Sequence, residues 1–175
     1  MIAALDAHYD EDTLVAVGAA VVFGDWNDAA PAAAYTSGCE STASYVPGQF
    51  FKRELPCLLA LLKQIVEPLH AIVIDGYVSL GDRPGLGMRM WDAIGQATPV
   101  IGVAKTRFKG ATALEVFRGR STQALYVSSI GIELDKAQTN IAHMAGAFRI
   151  PTLLKHVDRV ARDGLRAELS RRSLG

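Results

Sequence analysis

Cysteine is almost absent from this chain. Cys39 and Cys57 are the only two in 175 residues, and neither has the spacing of a metal-binding pair, so cysteine-ligated zinc modules are excluded and a reducing cytoplasm is the expected location. Net charge is missing as well. Eighteen basic residues balance eighteen acidic ones, so any attraction for nucleic acid has to come from local patches rather than an overall field. No apolar run approaches the roughly 20 residues that span a bilayer, and Met1 to Asp6 lacks the basic-then-apolar layout of a signal peptide, so no membrane partner is expected. The chain also lacks a G-x-S-x-G elbow, a G-x-x-x-x-G-K-[ST] loop and an H-E-x-x-H pair, which argues against serine hydrolases, P-loop NTPases and zinc proteases. Its histidines, His8, His70, His143 and His156, show no ligand spacing and read as structural or exposed.

What is present suits one domain over residues 1–175, since half of the residues are hydrophobic and can fill a sizeable core. Residues 1 to 9 and 13 to 23 are apolar and β-branched around the polar break Asp10-Glu11-Asp12, a hairpin pattern, with a third short strand near Ala33 to Thr36 and a loop from Ser37 to Ser44. From about Lys52 to Val66 apolar residues recur at helical spacing, with Glu54 in the first turn, where Pro56 is tolerated. Ala71 to Gly76 reads as a buried strand that delivers Asp75 at its end. Pro99 to Lys105 is a second, delivering Lys105. A glycine-rich loop from Gly81 to Gly87 and a short helix separate them. Strands near Leu114 to Phe117 and Ala124 to Ile130 and helices near Glu133 to Ala145 and Thr152 to Ser170 follow.

That order gives a mixed sheet, antiparallel in its first strands and parallel through later helical crossovers, which is an RNase H-like layout. A Rossmann sheet would need a glycine fingerprint after the first strand. Asp6-Ala7-His8-Tyr9 has none, and in Gly85-Leu86-Gly87 the pattern fails at Met90.

Asp6, Glu54 and Asp75 stand where chemistry is placed: within an apolar strand, on a first helical turn and at a strand tip. An ionised, unpaired acid inside an apolar strand costs several kcal/mol, so a cation or an arginine partner is expected. Hard oxygen donors suit Mg²⁺, with Mn²⁺ as a substitute, and such clusters serve phosphodiester hydrolysis. Lys105 suits charge developing on a phosphate, although a lysine at a strand end also serves as a surface residue. From Arg149 onward the chain is locally basic, which fits either a solvated amphipathic helix or a phosphate-contacting face.

Several motifs in order, Leu5-Asp6-x-x-Tyr9, Tyr45-Val46-Pro47-Gly48 with Phe51-Lys52-Arg53-Glu54, Ile74-Asp75-Gly76, Val100 to Lys105, Arg118-Gly119 and Arg149-Ile150-Pro151, resemble the endonuclease V family from about Leu5 to Arg162. The resemblance implies that Asp6 and Asp75 bind Mg²⁺, that Glu54 completes the cluster through metal or water, that Lys105 contacts the scissile phosphate and that Asp158 orients water. It implies a base-flipping wedge from Tyr45 through Pro47 to Gly48, a lesion pocket at Gly48, Gly76 and Gly85, and a substrate contact at Leu86. Two places depart from the family pattern: Ser44 precedes the wedge tyrosine, and Leu80-Gly81-Asp82-Arg83-Pro84 stands where a His-Pro-Arg segment is usual.

The activity so implied is DNA repair by cleavage of DNA or RNA at the second phosphodiester 3′ to deoxyinosine or inosine, performed by a monomer. Two other readings stay open at this point: an RNase H-like nuclease of structure-selective specificity, and a nucleic-acid-binding relative without turnover.

Overall fold

The computed structural model describes residues 1–40 and 51–173. The hairpin expected at the N-terminus forms from β1 (Ile2–Tyr9) and β2 (Val15–Phe23), with the pairs Ile2–Phe23 through Tyr9–Ala16 in register. β3 (Ala33–Glu40) extends it antiparallel. This strand is longer than its composition suggested: Ser37 to Glu40 continue the pairing with β2 as far as Val15–Glu40. A Gly/Ser-rich edge strand reads as loop because it has no alternation of apolar side chains.

Helix α1 (Phe51–Leu62) leads to β4 (Ala71–Asp75), and α2 (Leu86–Ala93) leads to β7 (Val100–Ala104). Between β4 and α2 the expected loop instead folds as a small hairpin, β5 (Ser79–Leu80) with β6 (Arg83–Pro84), turned by Gly81 at φ +62°. The chain continues through β8 (Leu114–Val116), β9 (Leu125–Ile130), α3 (Leu134–His143) and α4 (Thr152–Arg172). The main sheet has the order β3-β2-β1-β4-β7-β9-β8. β1, β4 and β7 are mutually parallel, and β9 and β8 close the far edge antiparallel. The mixed sheet flanked by helices is thus the expected class, with its parallel part confined to the three central strands. Among the described residues no helix is long and apolar enough to cross a membrane.

Helices cover both faces. Ala3, Leu5, Ala20, Val22, Ile72 and Ile74 pack on the α1–α2 side, and Ala4, Ala19, Val21, Val73, Ile101 and Val103 on the α3–α4 side. All nine residues of β2 are buried, so it shows none of the alternation of a half-exposed strand. Its small residues let the helices come close: a Cβ on Gly18 would lie 2.7 Å from Leu61 Cδ1, and one on Gly164 of α4 would lie 2.9 Å from Val17 Cγ1.

Gly102 matters most for the site. A Cβ there would lie 2.5 Å from the Gly76 carbonyl oxygen and 2.8 Å from Ser128 Oγ, directly behind the turn that follows Asp75. Gly102→Val should therefore shift the Gly76 peptide and destabilise the fold by roughly 1–3 kcal/mol. Urea unfolding would measure this, and an unchanged midpoint would contradict the packing argument.

Candidate active site

Strand register brings the first acids together. Leu5 of β1 pairs with Ile74 of β4, so the next residues, Asp6 and Asp75, emerge side by side. Asp75 in turn pairs with Val103 of β7, and Lys105 lies two residues further on, on the same face. Its Nζ donates to Asp75 Oδ2 at 2.5 Å. On that face α4 supplies Asp158, whose Oδ1 lies 3.2 Å from His8 Nε2 and whose Oδ2 accepts from Arg162.

Glu54 arrives from the other side of the sheet. The first turn of α1 is fixed against the end of β1 by Arg53, which is buried and has its guanidinium carbon 5.1 Å from the centre of the Tyr9 ring. Asp6, Asp75, Lys105 and Asp158 form a wall shared by two cavities. One, of about 560 Å³, opens toward Glu54, Leu58 and Leu86; the other, of about 720 Å³, opens toward Phe148, Leu154 and Lys155.

The electrostatics follow from this crowding. Burial, followed by the charge of Asp75, raises the Asp6 carboxyl from 3.8 to about 6. Burial, then Asp6 and Asp75, raises Glu54 from 4.5 to about 7. Burial pulls Lys105 down, but the hydrogen bond and charge of Asp75, with Asp6 and Asp158 behind it, outweigh that effect and keep the ammonium charged above its ordinary range. Among the described residues neither Asp6 nor Glu54 has a lysine or arginine in ion-pair contact. The backbone N–H of Ala7 donates to Asp6 Oδ1 at 2.8 Å.

Comparison with known proteins shows the same identity along the sequence and in the fold. The family model described as "Endonuclease V" matches residues 1–127. The chain belongs to the endonuclease V family. That makes a nuclease its activity class. Endonuclease V from Streptomyces avermitilis is 33% identical over 93% of this chain and 79% of its own length. The crystal structure from that organism superposes with a TM-score of 0.78 at 28% identity, over 96% of this chain and 82% of that one. Endonuclease V of Ciona intestinalis, crystallised with a 23mer DNA containing an inosine followed by a ribo-adenosine, shares the fold: TM-score 0.77, 17% identity, 95% of this chain and 85% of that one.

Within this endonuclease V chain, Asp6, Glu54, Asp75, Lys105 and Asp158 gather at one place. The wedge residues Tyr45, Pro47 and Gly48 lie outside the described residues. Gly76, at φ +122°, has nothing within 4 Å of where a Cβ would stand. Gly85 differs: a Cβ there would lie 2.5 Å from the Tyr77 carbonyl oxygen, so close packing alone requires a glycine. Leu86 begins α2 and lines the Glu54 cavity.

Two residues at the site, His8 and Arg149, are not among the candidate site residues of the sequence, although Arg149 stands in the Arg149-Ile150-Pro151 motif. His8 was expected to be structural or exposed, yet one donor atom each from Asp6, His8 and Asp158 lie within 4.8 Å of one another. The signal was there, since i and i+2 on a strand share a face. Arg149 donates to the backbone oxygens of Lys105 and Ala124, the latter at 2.8 Å, tying the α3–α4 connection to the strand end that carries Lys105. Arg118 binds that connection from beneath, donating to the carbonyls of Met144, Gly146 and Phe148. Further along α4, Arg162, Arg166, Arg171 and Arg172 pair with acids of their own helix, which favours the solvated amphipathic reading of the basic C-terminal segment.

The raised carboxyls make stability depend on pH. A folded chain that holds protons the unfolded chain has released is favoured at low pH and loses that advantage as pH rises through the folded-state values. In metal-free buffer, Asp6→Asn/Glu54→Gln should therefore gain several degrees in Tm on the wild type between about pH 4 and 7. Parallel Tm profiles for the two proteins would contradict the assignment.

Proposed function

We propose that this chain is a metal-dependent endonuclease that hydrolyses a phosphodiester 3′ to a deaminated purine, deoxyinosine or inosine, in DNA or RNA, as a step in DNA repair. The observation that carries this is the lining of one cavity by Asp6, Glu54, Asp75 and Lys105, with Asp6 and Glu54 raised by burial and then by neighbouring carboxyls and lacking a lysine or arginine partner. The inosine-containing DNA bound by the Ciona relative supports the ligand class. The same reading has one domain over residues 1–175, acting as a monomer in the cytoplasm.

The donor set fits a hard divalent cation. Asp6 and Asp75 supply carboxylate oxygens from adjacent strands, and Glu54 supplies a third directly or through water, a combination suited to Mg²⁺ or Mn²⁺. A cation bound there supplies Lewis acidity to the phosphate and lowers the pKa of the attacking water. The chain's own groups do the rest. Lys105, held charged by Asp75, places a positive charge beside the non-bridging phosphate oxygens as negative charge grows on them. Asp158, held through Oδ2 by Arg162 and with Oδ1 beside His8, helps orient the water for in-line attack. Water adds to phosphorus, the bond to the 3′-oxygen breaks, and the products end in a 3′-hydroxyl and a 5′-phosphate.

Gly76 leaves space beside Asp75 for a purine edge to approach the backbone; the lesion-reading roles of Gly85, Leu86 and the wedge residues Tyr45, Pro47 and Gly48 rest on the family resemblance. The hairpin over Ser79–Pro84, where the sequence departs from the family pattern, lies between Gly76 and Gly85 along the chain.

Labelled inosine, uracil, abasic and unmodified oligonucleotides, in DNA and RNA, test the reading with Mg²⁺ or EDTA present. Cleavage should be confined to the inosine substrates and abolished by EDTA. Equal cutting of all substrates would remove the specificity, and indifference to chelation would remove the mechanism. Asp75→Ala should abolish turnover with an unchanged circular dichroism spectrum, and Lys105→Ala should lower kcat by roughly a hundredfold or more. Wild-type rates in either variant would contradict the assigned roles.

A further inference from the structure

The acids of the site have one neighbour of different chemistry. His8 follows Asp6 by two residues on β1, so both side chains face α4, and its Nε2 points at Asp158 Oδ1 across 3.2 Å. Two donor atoms each about 2.1 Å from a shared ion and at right angles to it stand about 3.0 Å apart. The 3.2 Å hydrogen-bond contact between His8 and Asp158 therefore also matches the spacing of neighbours in one coordination sphere, and an Asp6 oxygen lies within 4.8 Å of both. The remaining contacts leave room for such an ion. Arg162 occupies the other oxygen of Asp158 and the Ala7 N–H occupies Asp6 Oδ1, while His8 Nε2 and Asp158 Oδ1 have only each other, a contact that an ion reached also by Asp6 would replace.

We propose that His8 is a nitrogen ligand of the cation site, which biases the site away from Mg²⁺ and toward a first-row transition ion such as Mn²⁺ or Co²⁺. This rests on the reading that the acids hold a cation. Mg²⁺ takes oxygen donors and gives up water reluctantly, whereas ions along the first transition row accept imidazole more readily. Replacing one of several acidic donors by imidazole also leaves less negative charge around the ion, which costs a purely electrostatic binder such as Mg²⁺ the most.

The test is electron spin echo spectroscopy of tag-free protein loaded with Mn²⁺, which reads ligand nitrogen directly and without turnover. The wild type should show ¹⁴N modulation that changes to the ¹⁵N pattern when histidine is ¹⁵N-labelled, a result that needs no substitution, and His8→Asn should remove it. Calorimetric titration should show a Mn²⁺ affinity about tenfold weaker in His8→Asn, with a smaller change for Mg²⁺. Saturable Mn²⁺ binding that Asp6→Asn weakens, but with no histidine nitrogen signal, would overturn the role of His8 and leave the metal-dependent reading standing. A nitrogen signal that survives His8→Asn would also overturn it. Absence of saturable Mn²⁺ binding to the wild type would overturn both.

Discussion

Carboxylates on neighbouring parallel strands repel one another, and burial raises the cost of ionising each. In this chain the register of β1 against β4 makes that repulsion unavoidable, because Asp6 and Asp75 follow directly after the paired residues Leu5 and Ile74. Glu54 adds a third carboxyl from α1. Lys105 balances one of the three, and burial, reinforced by the neighbouring carboxyls, shifts Asp6 and Glu54 toward neutrality. A divalent cation would relieve this stress at once, so the same arrangement that weakens the metal-free fold at neutral pH favours binding of an ion and of the phosphate it brings.

Much of the surrounding architecture holds that stressed group in place. Small residues along β2 let α1 and α4 clamp the hairpin from both sides, and α1 thereby delivers Glu54 while α4 delivers Asp158. Arg53 locks the start of α1 to Tyr9 at the end of β1. On the far side, Arg118 donates to backbone carbonyls of the α3–α4 connection, and Arg149, which lines the larger cavity, donates to Gln123 Oε1 and to the backbone oxygens of Lys105 and Ala124. Gly119, at φ +60° and with its would-be Cβ 2.2 Å from the Ala147 oxygen, lets the Arg118 turn seat against that segment.

The parts of this arrangement that were legible in the sequence share one property: a local pattern states them. The apolar runs before Asp75 and Lys105 mark buried strands whose tips carry chemistry, and the helical spacing after Lys52 places Glu54 on a first turn. Arg149 is legible only as part of a motif, and its role is not, because two of its partners are main-chain oxygens at residues 105 and 124, which no side-chain pattern advertises. His8 is not legible as a site residue because its partner Asp158 is 150 residues away along the chain. The polar edge of β3 and the hairpin at Ser79–Pro84 lacked apolar alternation, and their pairing is set by neighbours in space.

The central claim is that the side chains at positions 6, 54 and 75 surround a hard cation. Crystals soaked in Mn²⁺ and measured for anomalous scattering test it most directly. The account predicts one strong peak within about 2.5 Å of carboxylate oxygens of both Asp6 and Asp75, with Glu54 in the same coordination sphere or one water away. A map with no peak between those strands, or with Mn²⁺ only on exposed acids elsewhere, would contradict it.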